Sequence, residues 1–251
     1  MLLLSLVFAE DVIEPVEHGH INWTHSRLVI EAGGGQNTGA WTDTKLVEQT
    51  AVSQLELRVR QAALDLSYDE DRRGSDLLED EELSRALDEG LASWAIAETR
   101  YYDSGKVELR AEVDLQDWLR PALTQQAQGE PDQPKQPTNV TGIVLDARGL
   151  DVSPALTISV LSPGKQEVLY SGASLTKDTA ATTVPVIWVT DPSNAAAIER
   201  AGAHPAFLDV EAVRGDNGLI LTNEDASRLR SLAVNTDLLR SARVVVVVDA
   251  P

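Results

Sequence analysis

Cysteine is absent from this 251-residue chain, which excludes disulfides, thiolate metal sites, cysteine nucleophiles and a lipidated N-terminal cysteine. Aromatic residues are also scarce, at 4% of the sequence, so the core has to be aliphatic. Basic residues number 21 against 40 acidic ones, which gives a formal net charge of -19. Because such a surface repels phosphate backbones and anionic head groups, we expect no nucleic-acid partner.

The N-terminal stretch MLLLSLVFAED resembles the end of a secretory signal. An apolar run from Leu2 to Phe8 leads through Ala9 into an acidic start, as at the cleavage site of exported proteins. The stretch lacks a basic region, so residues 1–9 are interpreted as a signal-peptide remnant, with a buried first strand as the alternative. No other stretch approaches the roughly 20 apolar residues of a membrane span. We therefore expect a periplasmic or otherwise exported protein without a transmembrane span.

A polar segment divides the chain. Residues 124–139, TQQAQGEPDQPKQPTN, contain three prolines and almost no apolar side chains, which is typical of a semi-rigid linker. We predict an N-terminal α+β domain over 10–123 and a C-terminal α/β domain over 140–251. The fold class is α+β (α/β-like), with two small sandwich domains, each a mostly antiparallel or mixed sheet with helices packed on it.

Two helices are predicted in the first domain. Apolar residues from Val47 to Leu66 recur every three or four positions, which is typical of an amphipathic helix that Thr42 or Asp43 could cap. Residues 76–94 predict a second, more acidic helix. Its leucines would share one face: Leu78, Leu83, Leu87 and Leu91.

The strongest local pattern predicts a β-hairpin. Apolar and charged residues alternate from Val107 to Leu115, and the loop Asp103-Ser104-Gly105 precedes them. The expected inward pairs are Tyr101 with Val107, Thr99 with Leu109 and Ala97 with Ala111. The expected outer pairs are Arg100 with Glu108 and Glu98 with Arg110, which place opposite charges across the ladder.

The second domain should consist mainly of strands. They are predicted at 141–147, 155–161, 166–171, 184–190, 206–213 and 219–222, with a helix capped near Asp191 or Ser193. Two short helices should precede the terminal ARVVVVVD. Its five consecutive valines do not alternate with polar residues, so this strand should be covered on both faces in the sheet centre.

Histidines cluster in HGHINWTH. His18 and His20 would share one face of a strand and could form a metal pair, but His25 would lie on the opposite face and no acid stands at a supporting spacing. An exposed segment explains the cluster better, and we predict no metal site there.

Residues 69–80, DEDRRGSDLLED, imitate a calcium-binding loop. Asp69, Asp71 and Gly74 match ligand and turn positions, but Arg73 stands where an oxygen ligand is needed and Asp80 replaces the bidentate Glu. The segment is therefore interpreted as an acidic loop between helices.

Four other short motifs carry little information. The glycines of residues 31–41 lack the pattern of a phosphate-binding loop and should let the chain turn. RGD at 214–216 and the glycosylation acceptor at Asn139 are matches expected by chance. A hydrolase would have to recruit His204, the sole histidine of the second domain. We predict no catalytic residue, no cofactor and no enzymatic activity.

Asp146 and Arg148 form the one interaction site proposed from the sequence. They follow the apolar run Ile143 to Leu145 and are two residues apart, so both would point the same way at a sheet edge. An arginine there can clamp a carboxylate or a carbonyl. The pair is interpreted as a turn lock or an interface contact.

Several stretches resemble a known family. TGIVLDARGLDVSPALTISVLSPGKQEVLYSG, with RAGAHPAFLDVEAV, LTNEDASRL and LLRSARVVVVVD, is similar to a domain of exported bacterial envelope proteins, the FlgP/FlgT-like flagellar assembly proteins and related lipoproteins. The resemblance implies a non-enzymatic role at the envelope, as a scaffold or ring-forming subunit. Those relatives often carry a lipid-modified cysteine, which this chain lacks, so lipid anchoring is not carried over.

The sequence therefore favours a periplasmic structural or flagellum assembly protein that acts through protein–protein contacts. Its partners would be other envelope proteins or further copies of itself in an oligomer or ring, with exposed strand edges such as the 96–114 hairpin as contact surfaces. A small-ligand-binding periplasmic module that uses the glycine-rich loop or the Asp146/Arg148 edge is the alternative. A hydrolase comes third.

Overall fold

The structure is a computed structural model that describes residues 10–35, 44–91, 94–130, 139–164, 167–235 and 237–250. Its strands are β1 (Ile13–Val16), β2 (Gly19–Asn22), β3 (Arg27–Gly34), β4 (Ala95–Tyr101), β5 (Val107–Asp114), β6 (Ile143–Asp146), β7 (Ser159–Leu161), β8 (Val168–Tyr170), β9 (Ile187–Val189), β10 (Ala206–Arg214), β11 (Gly218–Leu221) and β12 (Val244–Val247). Its α-helices are α1 (Thr44–Asp65), α2 (Glu81–Leu91), α3 (Leu115–Gln126), α4 (Lys177–Ala180), α5 (Ala195–Ala201) and α6 (Asn223–Asn235).

The first sheet has five antiparallel strands in the order β1-β2-β3-β5-β4. The predicted helix α1 is confirmed, and it packs its apolar stripe on β3 and β5. A Cβ on Gly34 would lie 2.6 Å from the Val47 carbonyl oxygen, so this glycine lets α1 approach the strand closely. The sequence had predicted that Gly34 and its neighbours let the chain turn. The proposed caps of α1, Thr42 and Asp43, lie outside the described residues.

The predicted hairpin is confirmed in register from residue 98 onwards and wrong at Ala97. Tyr101 pairs with Val107 and Thr99 with Leu109, but a bulge shifts the ladder so that Ile96 stands opposite Ala111. Tyr101, Thr99 and Ala97 of β4 were expected to face inward, yet all three are exposed because β4 extends past α1 at the edge of the sheet. The alternating face of β5 is buried as predicted.

The second predicted helix is divided at Asp80. A 3₁₀ turn, Gly74–Glu79, ends there, and α2 begins at the next residue. Asp80 accepts the amide of Leu83 at 3.0 Å, so it acts as the cap of α2. Leucines of α2 face the core as predicted, while Leu78 in the 3₁₀ turn is only partly buried and its neighbour Leu77 is buried.

The predicted linker begins inside a helix. Residues 124–126 complete α3, which Asp114 starts by accepting the amides of Gln116 and Asp117. Leu123 and Ala127 are buried, so apolar contacts continue the helix into this polar segment. The described residues of the linker then pair with the second half, where Gly129 donates to the Leu175 carbonyl at 2.8 Å.

The second sheet is mixed, with seven strands in the order β8-β7-β11-β10-β6-β12-β9. Strands β10, β6, β12 and β9 run parallel, and β11 and β8 each join a neighbour in antiparallel pairing. All four residues of β12 are buried, as its valines predict, although β12 lies one strand from the edge. The two sheets with packed helices confirm the predicted α+β class.

Two helix predictions in the second half are corrected. The cap of α5 is Asn194, whose side chain accepts the Ala196 amide at 2.9 Å, whereas Asp191 accepts from Ser193 in the preceding turn. One 13-residue helix, α6, followed by turns, stands where two short helices were expected.

The two sheets share one continuous core. Asp11 forms a bridge with Val189 at the outer strand of the second sheet, and Thr24 donates from its hydroxyl to the Trp188 carbonyl at 2.7 Å. The Trp188 indole, fully buried, donates to the Ala155 carbonyl at 2.8 Å. A single cluster of buried apolar side chains extends through both halves, so the division into domains at 123 and 140 stays a prediction.

Candidate interaction sites

The Asp146–Arg148 pair lies at the carboxyl end of the parallel strands. Asp146 ends β6, opposite Asp209 of β10 and Val247 of β12. The Arg148 guanidinium donates to both carboxylate oxygens, with 2.8 Å from Nε to Oδ1, and the Arg148 amide donates to Oδ1 at 3.2 Å. These bonds hold the pKa of Asp146 below its usual value, although partial burial opposes the shift.

Two further carboxylates surround this arginine. Asp191 follows β9 and Asp249 follows β12, and both contribute to raising the pKa of Arg148, after the larger effect of Asp146. In open α/β sheets this edge is where ligands usually bind. Here Asp249 accepts the Gly149 amide at 2.7 Å, so each carboxylate already has a donor within the chain. The geometry therefore supports the interpretation that the Asp146–Arg148 pair fixes the conformation of the turn after β6.

The histidine cluster contributes no metal site within the described ranges, where no group of three or more His, Asp or Glu side chains could hold an ion. His18 lies at a positive φ of 68° beside Glu17, and His25 Nε2 lies 3.3 Å from an Asp11 oxygen. These two histidines therefore contact separate carboxylates.

The loop that imitates a calcium site closes on itself and then contacts the second sheet. Asp69 accepts the amides of Asp71 and Arg72 and the Arg72 guanidinium, which leaves its oxygens occupied. Its neighbour Glu70 forms a two-point ion pair with Arg214, at 2.7 and 2.8 Å. Arg214 is the first residue of the RGD motif, so the guanidinium of that motif is bound to Glu70 within the molecule.

His204 lies exposed just before β10. Its backbone amide donates to the Thr141 hydroxyl at 2.9 Å, and that hydroxyl donates to the Ala201 carbonyl at 2.7 Å. The contacts fix the connection between α5 and β10.

The outer edge of β4 is the most exposed strand surface in the first sheet. Six of its seven residues are exposed. Among them are large apolar side chains, Ile96 at 42% and Tyr101 at 59%, and Tyr102 follows at 42%. Among the described strands none pairs with this edge, and an edge with exposed apolar side chains offers hydrogen bonds and apolar contacts to another strand.

Charges along this hairpin are almost balanced, in contrast to the rest of the chain. Residues 95–112 carry four acids and three bases, a net charge of -1 in a protein of -19. The bases are paired locally: Arg100 with Glu98 at 2.7 Å, Arg110 with Glu112 at 2.9 Å, and Lys106 with Glu108. This edge therefore lacks the repulsion that the acidic surface imposes elsewhere.

A polar groove of about 430 Å³ lies where the two sheets meet. Arg200 lines it and donates to the carbonyls of Val184 and Ala242, at 3.0 and 2.9 Å, and burial lowers the pKa of Arg200. Gln116 also lines it and donates to the Ala180 carbonyl, while its Oε1 is buried without a hydrogen bond in the described part of the chain. Sequence reasoning missed this groove because its walls come from distant segments.

Comparison with known families concerns the second sheet alone. Residues 142–250 match the family model of Treponema pallidum Tp0624, second domain. The match extends from the start of β6 past β12 and includes Asp146 and Arg148, but it covers less than half of the chain. The search of curated proteins found no match. None of the helices in the described ranges is long and apolar enough to cross a membrane.

Proposed function

We propose that this chain is a non-enzymatic structural or assembly protein of the cell envelope that acts through protein–protein contacts. Export is supported by the apolar run before Ala9, and the resemblance to FlgP/FlgT-like proteins adds a flagellar association. The Asp146–Arg148 pair is in keeping with a non-enzymatic role, because both side chains fix the turn after β6.

The open edge of β4 carries the proposal. A seven-residue exposed strand with apolar side chains beside it is a surface that folded proteins usually shorten, cover or charge. Here the charges largely cancel, and the tyrosines remain in solvent. A partner strand added at this edge would supply the missing backbone hydrogen bonds and cover those rings.

Photo-crosslinking in the native cells tests the proposal. A crosslinking amino acid replaces Tyr101 at the β4 edge, and in a matched control it replaces Val234, which is 74% exposed on α6. We expect the chain in the periplasmic fraction and a discrete adduct at position 101, with an envelope protein or a second copy identified by mass spectrometry. A cytosolic chain, or the same background at both positions, would overturn the proposal.

The groove between the sheets favours a second candidate function, binding of a small polar ligand. An anionic group in the groove could contact Arg200 and Gln116, which both line it. A thermal-shift screen of anionic metabolites tests it, because a ligand at 100 times its dissociation constant adds about 2.7 kcal/mol. The stabilisation should disappear in Gln116→Leu; a shift retained in that variant would place the ligand elsewhere.

A further inference from the structure

The backbone of β4 directs alternate residues to the open edge. The Tyr102 amide donates to the Lys106 carbonyl at 3.0 Å, so this is a hydrogen-bonded pair. Such pairs alternate with non-bonded pairs along an antiparallel ladder. In the register of β4 and β5, Thr99 and Tyr101 are therefore the residues whose N–H and C=O groups face away from β5.

Antiparallel pairing of two such edges has few registers, because outward residues must meet outward residues. A two-fold axis at Thr99 places Thr99 opposite its own copy and Glu98 opposite Arg100 on both sides. An axis at Arg100 instead places Arg100 opposite itself, and like charges directly opposite each other destabilise a ladder. An axis at Tyr101 places Arg100 opposite Tyr102 and brings no opposite charges together, so side-chain charge favours the register centred on Thr99.

We propose that two copies of this chain pair through their β4 edges, antiparallel about Thr99. This inference rests on the proposed function and names the partner at the same edge. The contact is isologous, and it joins two five-stranded sheets into one ten-stranded sheet with both α1 helices on the same face.

Two features of the hairpin support a second copy as the occupant. Its net charge of -1 permits close approach of two chains that each carry -19. The exposed ring of Tyr101 and the side chain of Ile96 lie on the α1 side of the strand, where the neighbouring copy would cover them. The bulge at Ala97 interrupts β4 on one side. The regular part of the ladder between the two copies would therefore be short and centred on residues 98–100.

Single cysteines test the register, because the natural chain has none. Opposed residues in a hydrogen-bonded antiparallel pair have Cα atoms about 5.5 Å apart, within the roughly 4.4–6.8 Å that a disulfide spans. Under mild oxidation, Thr99→Cys should form a covalent dimer, whereas Tyr101→Cys, which faces Ala97 of the partner, should form far less. Dominant crosslinking at Arg100→Cys or Tyr101→Cys would overturn the register.

Light scattering of the unmodified chain and of Thr99→Pro completes the test. Proline removes the outward N–H and is tolerated where an edge strand faces solvent, so the variant should fold but remain monomeric, while Thr99→Val should dimerise like the parent. A monomeric parent in which Thr99→Cys stays uncrosslinked refutes self-pairing. If position 101 then still crosslinks another envelope protein in cells, the proposed function stands; if it does not, both fail.

Discussion

The ion pair between Glu70 and Arg214 connects the loop after α1 to β10 of the second sheet, and breaking it should weaken the whole fold. The Glu70 side chain is only 11% exposed, and both its oxygens accept from Arg214, which is 37% exposed. Replacing Arg214 by Met leaves this carboxylate without its partner. Exposed pairs contribute about 0–1 kcal/mol and a broken buried pair costs about 3–5 kcal/mol. With one partner half-solvated, we expect a loss of about 2 kcal/mol.

Urea unfolding followed by fluorescence measures this loss, since Trp23, Trp118 and Trp188 are buried reporters in both halves. The same loss should lower the Tm by about 4–8 °C for a chain of this size. The control is Arg230→Met, because the Arg230–Glu167 pair at 2.8 Å is exposed on both sides and should contribute less than about 1 kcal/mol.

A double variant separates the pair from the packing around it. Glu70→Leu with Arg214→Met removes both charges, so it should recover part of the stability lost in the single variant. The reasoning is refuted if Arg214→Met costs no more than the exposed control, or if the two substitutions add without coupling.

Three further predictions follow from local geometry. Gly74→Ala should cost about 1–3 kcal/mol in urea unfolding, because a Cβ there would lie 2.1 Å from the Ala63 carbonyl oxygen; an unchanged midpoint would contradict this. Asp114→Ala should lower the free energy of unfolding by about 1 kcal/mol because it removes the cap of α3. Asp114→Asn, which can still accept those amides, should retain most of the capping stabilisation. The Asp146 carboxyl, followed by NMR, should titrate below the usual pKa of an aspartate, and its pKa should rise in Arg148→Gln because the guanidinium that lowers it is removed. Because its pKa is lowered in the folded state, its stabilisation is present at neutral pH and is lost as the pH falls through that lowered value.

The hairpin shows how far local pattern determines structure. Turn glycine, apolar alternation and opposed charges all agree from residue 98 to residue 110, and the register there is the predicted one. A bulge adds one residue to one strand of a pair. The amino-acid composition of the segment carries no sign of that extra residue, so the bulge at Ala97 could not be predicted. Nor could the exposure of β4, which depends on where α1 ends its coverage of the sheet.

Contacts that depend on tertiary arrangement were equally out of reach. The spacing of Asp146 and Arg148 was enough to place both side chains on the same side, and they bond to each other, but it left open a turn lock or an interface contact. Glu70 and Arg214 are 144 residues apart, and their segments were interpreted as a solvated loop and a chance motif. The groove near Arg200 likewise needs segments from both halves, so periodicity in any one segment carries no sign of it.

The bridge between Asp11 and Val189 has a consequence for the order of folding. Ribosomes add about 5–20 residues per second, so the partner of Asp11 is synthesised roughly 10 to 35 s after it. During that interval β1, β2 and β3 can already pair with one another, but Asp11 lacks its partner in the second sheet. The contact that joins the two sheets can therefore form only after most of the chain has been synthesised.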